Sequence, residues 1–168
     1  EGGVTGNQAY KRPPMWTTKP PRSLNEVTVI ANFVEVWLAK EGHDNPIGIN
    51  LLEKVQLPNI SSLYGAMLAG VDLVIMGAGI VIQIPGVLDS LAEHKDVSYR
   101  VDVLDTDAGE DIRVHFKPEE VFPGVTEKLG TIKRPDFFPI ISSVVLAKAL
   151  LQRSTGKING FVVEMPSA

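Results

Sequence analysis

The chain has 168 residues, 44% of them hydrophobic and 21% charged, enough apolar material for one domain-sized core and too much for a disordered chain. A formal charge of −4 leaves no global basic excess with which to neutralise the phosphates of a nucleic acid. The absence of cysteine excludes disulfides, thiolate metal sites and cysteine nucleophiles, and agrees with a cytoplasmic setting.

The N-terminal "EGGVTGNQAY" has neither the charged start nor the apolar centre of a signal peptide. It also lacks an initiating methionine, as expected of a processed chain or a piece of a longer one. Residues 1–22 carry two Pro-Pro pairs and no hydrophobic period, so they read as an extended arm over a surface. Its cations Lys11, Arg12, Lys19 and Arg22 are expected to be solvated. Ser23 and Glu26 have the spacing of a capping box at the start of a helix. Val27, Ile30, Ala31, Val34 and Leu38 then recur at helical spacing as its apolar face, and Gly42 marks its end. "NPIGIN" reads as a strand ending on Asn50, "SSLYGAMLAG" as a helix closing on Gly70, and "VDLVIMGAG" as the next strand. The apolar run 73–82 contains two glycines and stops at Gln83, well short of the ~20 residues a membrane span needs. "PGVLDSLAEH" follows as a helix with Pro85 in its first turn.

Residues 97–117 break this rhythm. "VSYRVDV" and "IRVHFK" alternate as strands do, and the acidic "LDTDAGED" between them makes an inserted hairpin. After a loop, "PGVTEKLGTIKRPD", the rhythm resumes with strand "FFPIISS", helix "SVVLAKALLQRST" and a final strand in "GFVVEMPSA". Alternating strands and helices with near-continuous apolar strands predict an α/β fold, a parallel sheet covered on both faces.

In parallel β/α architectures ligands gather at the C-terminal ends of the strands. Here those ends offer Asn50, then Gly77 and Gly79, then Ser142 and Ser143, then Glu164. Asn50 can donate and accept hydrogen bonds, which suits a flat heterocycle, and glycines let backbone approach a ligand plane. Each of these positions is by itself what a strand end looks like, but four together point to a site. Gly77-x-Gly79 is not a dinucleotide fingerprint, because Ile82 stands where a small third residue is required. "DTDAGED" lacks the ligands of a calcium loop. His43, His94 and His115 have no metal-ligand spacing and read as surface residues. Neither a nucleophile elbow nor a Walker loop occurs.

"NPIGINLLEK", "GVDLVIMGAGI", "PIISSVVLAKAL" and "GFVVEMPSA", in this order, resemble the nitronate monooxygenase family, formerly called 2-nitropropane dioxygenases, a group that includes flavin-dependent enoyl-acyl-carrier-protein reductases. The resemblance spans roughly residues 22–168. It implies an FMN-binding TIM barrel, of which about three to four β/α units are present with the inserted hairpin at 97–117. On that basis 23–168 is a partial barrel domain and an internal fragment of a larger one, since a whole barrel takes about 250 residues.

By the same resemblance Asn50 contacts the flavin ring, Gly77 and Gly79 border the flavin and substrate, and Ser142 and Ser143 lie beneath the ring. Glu164 belongs to the run leading to the family's active-site histidine, expected beyond Ala168. The chain departs from the pattern at Met165, where a glycine is usual, and at Val81, where a proline is. The implied activity of the intact protein is oxidation of nitronates by oxygen, the fragment being expected to be inactive alone, with a small-molecule substrate, no nucleic-acid or membrane partner, and a homo-oligomeric state for the exposed half-barrel. The alternatives are an FMN-dependent enoyl reductase acting on an acyl thioester, and a non-catalytic α/β module that binds a small molecule or a protein.

Overall fold

The computed structural model describes residues 12–103 and 110–165. Helix α1 (Arg22–Ala39) leads into strand β1 (Gly48–Leu52), helix α2 (Gln56–Leu68), strand β2 (Leu73–Gly77) and helix α3 (Ile84–Ala92). The hairpin strands β3 (Val97–Arg100) and β4 (Arg113–Phe116) come next, then the short helices α4 (Pro118–Val121) and α5 (Val125–Leu129). Strand β5 (Asp136–Ile141), helix α6 (Val144–Arg153) and strand β6 (Val162–Val163) complete the described fold. The four strands β1, β2, β5 and β6 form a parallel sheet in that order, and β3 pairs antiparallel with β4. Among the described residues no helix is long and apolar enough to cross a membrane.

The core lies between one face of the sheet and the helices. Val74, Met76, Phe137 and Ile141 from the strands meet Ile60, Leu63, Met67, Leu88 and Leu91, all buried. Helix α2 is buried along most of its length because α1 packs over it. The two backbones meet where Gly65 faces Val29, and a Cβ on Gly65 would overlap the Val29 carbonyl. Gly70 then ends the α2 turn at φ +74, a left-handed conformation that a side chain would strain. The hairpin's inward residues Tyr99, Val114 and Phe116 are buried, and β3 touches α3 while β4 touches α2.

Beneath the sheet, Asp72 gathers three segments. Its carboxylate accepts from Lys133 Nζ at 2.5 Å, Lys40 Nζ at 2.7 Å and the Ile47 amide at 2.9 Å. Hydrogen bonds from the two lysines, Lys133 first, hold its carboxyl far below the usual range. This end of a parallel β/α unit is the one expected to serve stability.

Several expectations are corrected. The capping box is not made. Pro21 precedes the helix with no side-chain cap, and Glu26 instead pairs with Arg22 at 2.8 Å, one turn back. Arg22, expected to be solvated, also donates to the Val121 carbonyl at 3.0 Å. The buried face of α1 is Leu24, Asn25, Val29 and Val36, while Val27, Ile30, Val34 and Leu38 are exposed. Both stripes are apolar, so periodicity alone could not choose between them. Strand β1 runs two residues past Asn50, because Leu51 and Leu52 continue its apolar pattern. The expected loop 123–136 contains the short helix α5, and α4 lies just before it. Among the described residues the sheet is covered on one face only, since Leu52 is 46% exposed and Ile75, Phe138 and Ile140 are half-buried. The hairpin is present, with the acidic tip 104–109 outside the described residues.

His94 is not a surface residue. It is buried, at a left-handed φ of +54, with Nδ1 2.6 Å from the Tyr64 hydroxyl and no partner at Nε2 among the described residues. Burial, with a smaller contribution from the Glu119 charge, pushes the Tyr64 hydroxyl well above the ordinary tyrosine range. His43 and His115 are exposed as expected.

Candidate functional site at the C-terminal edge of the sheet

Strand register sets the geometry of the site. Leu52 lies opposite Gly77, Met76 opposite Pro139, and Ile141 opposite Val163, so these strands finish along one edge. The Glu53 amide donates to the Gly77 carbonyl at 2.8 Å and the Glu164 amide to the Ile141 carbonyl at 2.8 Å, which extends the ladder by one rung on either side. Gly77, Gly79, Ser142, Ser143 and Glu164 therefore share this edge. Asn50 stands lower, in register with Ile75, its side chain exposed on the open face of the sheet.

Local packing accounts for part of this set without a ligand. A Cβ on Gly77 would come within 2.8 Å of the Ile140 Cβ, and one on Gly79 would overlap the carboxylate of Glu53. Ser143 caps α6, its hydroxyl accepting from the Leu146 amide at 3.2 Å. Ser142 is exposed, and its side chain takes no part in the hydrogen bonds of the described residues. Glu164 is exposed as well, with no ion pair among the described residues. Asn50, Ser142 and Glu164 thus keep their side chains available for a ligand.

Sequence reasoning missed Glu53. It is 6% exposed, directly beyond β1, and its Oε1 accepts from the Tyr99 hydroxyl at 2.7 Å and from Gln56 Nε2 at 3.0 Å. Among the described residues no lysine, arginine or histidine pairs with it, which is unusual for a buried carboxylate. Burial, reinforced by the bond to Glu53, pushes the Tyr99 hydroxyl far above its ordinary range, so Tyr99 acts there as a fixed donor. Gln56 Oε1 also accepts from the Asp102 amide at 2.8 Å, so Tyr99 and Gln56 together fasten the hairpin to the strand-end edge. The signal was a charged residue following "INLL" without a break, where an apolar strand would deliver a side chain to the edge.

A flavin tests this edge in two parts. Asn50 and Ser142 supply the donors and acceptors that a heterocycle's rim requires, beside the half-buried Ile75 and Phe138. None of the six sequence-predicted residues is cationic and Glu53 and Glu164 are acidic, so the edge suits the ring and not the phosphate. The described residues contain no cluster of metal-ligating side chains. An apolar groove of about 440 Å³ lies elsewhere, between α1 and the α4–α5 segment, lined by Val29, Phe33, Phe122 and Leu129 among others. Comparison with sequence families, with curated proteins and with solved structures gives no match.

Proposed function

We propose that the chain is part of an FMN-dependent oxidoreductase of the nitronate monooxygenase type, its four parallel strands belonging to a (β/α)8 barrel. The observation that carries this reading is the convergence of polar and small residues at one end of the parallel sheet, where such folds bind ligands. When bound, the flavin would supply the redox chemistry, accepting electrons from a nitronate and passing them to oxygen. Asn50 would hydrogen-bond the rim of the ring and Ser142 would hold its underside. Gly77 and Gly79 would keep the floor low, and Glu53 would fix the β2–α3 loop through its contact with Gly79. Glu164 would orient the segment that follows it.

Absorbance tests the reading. After FMN addition and desalting, the chain should retain a flavin spectrum, and Asn50→Ala should lose most of it, since a hydrogen bond to a ligand contributes about 1 kcal/mol or more. A parent chain that retains no flavin would mark the fragment as inactive alone whatever its ancestry, and retention that Asn50→Ala leaves unchanged refutes the reading. A non-catalytic binding module stands as the second reading, favoured by the packing and capping roles that Gly77, Gly79 and Ser143 already fill.

A further inference from the structure

The N-terminal arm and the first turn of α1 meet the end of the hairpin around a pocket of about 280 Å³. Lys19 of the arm, Arg22 and Asn25 of α1, and Lys117 just after β4 line it, with Pro20 and Val121 as an apolar wall. The start of α1 has no side-chain cap and no acidic residue in its first turn, so nothing on the helix itself opposes the positive end of its dipole.

Asn25 makes this more than a charged hollow. It is only 9% exposed, and the buried Ser61 hydroxyl donates to its Oδ1 at 2.8 Å. That bond settles which way the amide faces. Oδ1 is turned to α2, and Nδ2, which has no acceptor among the described residues, is left for the pocket. Buried side-chain donors ordinarily find an acceptor, so this one is placed for a ligand that brings its own. The charges give the ligand's sign. Arg22 pairs with Glu26 at 2.8 Å, and Lys117 with Glu120, which also lines the pocket, at 2.6 Å. Lys19 has no ion pair among the described residues, so three cations stand against two carboxylates and one positive charge is left over.

We propose that this pocket binds the carboxylate of a small organic acid. Its oxygens accept from Asn25 Nδ2 and the Lys19 ammonium beside the start of α1, and its hydrocarbon part lies on Pro20 and Val121. One surplus positive charge matches a monoanion, whereas a phosphate dianion would be repelled more strongly by the nearby Glu26 and Glu120. The site rests on neither the flavin reading nor the half-barrel, because every residue that the argument uses lies in the described chain.

Amide chemical shifts of the isotope-labelled chain, without flavin, test the proposal in titrations with butyrate, acetate and inorganic phosphate at constant ionic strength. The expected result is saturable shifts at Lys19, Asn25 and His115, which lines the same pocket, with butyrate binding more tightly than acetate or phosphate. Asn25→Asp keeps the acceptor for Ser61 and the size of the side chain but turns the pocket's donor into a negative charge. It should weaken butyrate at least about tenfold. Lys19→Gln, on the exposed arm and clear of the core, should weaken it several-fold. Circular dichroism of each variant, expected to match the parent, separates lost binding from lost fold. A folded chain with no saturable shift overturns the proposal, as does butyrate binding that both substitutions leave unchanged. Phosphate bound as tightly as butyrate overturns the carboxylate assignment, and tighter binding of an acetylated, amidated glutamate would replace the small acid with an acidic peptide. Loss of this site would leave the flavin reading standing.

Discussion

Replacing Gly65 with alanine sets two opposing effects against each other in the centre of the α1–α2 contact. In an isolated helix the change is favourable by about 1 kcal/mol, because alanine loses less backbone freedom than glycine. Here the new methyl would overlap the Val29 carbonyl oxygen and lie 2.9 Å from its carbon and 3.0 Å from the Val29 Cα. All three are backbone atoms of a helix, so no side-chain rotation relieves the contact and α1 must shift as a body. The shift loosens Leu24, Val29 and Val36, which α1 buries. Overpacking of this kind costs about 1–3 kcal/mol, and the rigid neighbour places this site at the upper end. The net expectation is a loss of about 2 kcal/mol, or roughly 4–8 °C in Tm for a chain of this size.

Urea unfolding followed by circular dichroism measures it, with Gly42→Ala as control. Gly42 has φ +79 and open space around its Cβ position, so it reports backbone strain alone, about 1 kcal/mol. If Gly65→Ala equals or exceeds the parent in stability, the close crossing of α1 and α2 is wrong.

Asp72→Asn should cost about 1–2 kcal/mol, measured by thermal unfolding, because the bonds to Lys133 and Lys40 lose their charge. Since the folded carboxyl is depressed, its contribution is complete above the unfolded value near 4 and is lost as pH falls through the folded value. The Asp72→Asn variant should therefore show a flatter loss of stability below about pH 4. Tyr99→Phe removes one of the two donors to buried Glu53 and should cost about 1–3 kcal/mol by the same assay. Tyr64 and Tyr99 are both raised, so the folded state holds their protons longer than the unfolded chain. Stability should fall as pH rises above about 10, and Tyr99→Phe should lessen that fall.

The succession of strands and helices was legible because each carries its own signal. Pro85 sits in the first turn of α3, Gly70 turns α2 into β2, and alternation marks β3 and β4. The same signals located the edge where Gly77, Ser142 and Glu164 meet. Illegible were choices that only tertiary packing makes. Helix α1 has two apolar stripes, and the one in contact was settled by the close approach of Val29 to Gly65. His94 looked like a polar helix end until Tyr64 gave it a buried partner. Glu53 is buried because the hairpin, 46 residues later, brings Tyr99 to it, a contact that no local pattern encodes.

The central claim is that the C-terminal edge of the parallel sheet binds a flavin ring. Amide chemical shifts recorded on an isotope-labelled sample during FMN titration test it most directly. The account predicts saturable shifts concentrated at Asn50, Gly77, Gly79, Ser142 and Glu164, with little change at Asp72 or along α1. Shifts centred instead on the groove between α1 and α5, or no saturable shift at all, would contradict it.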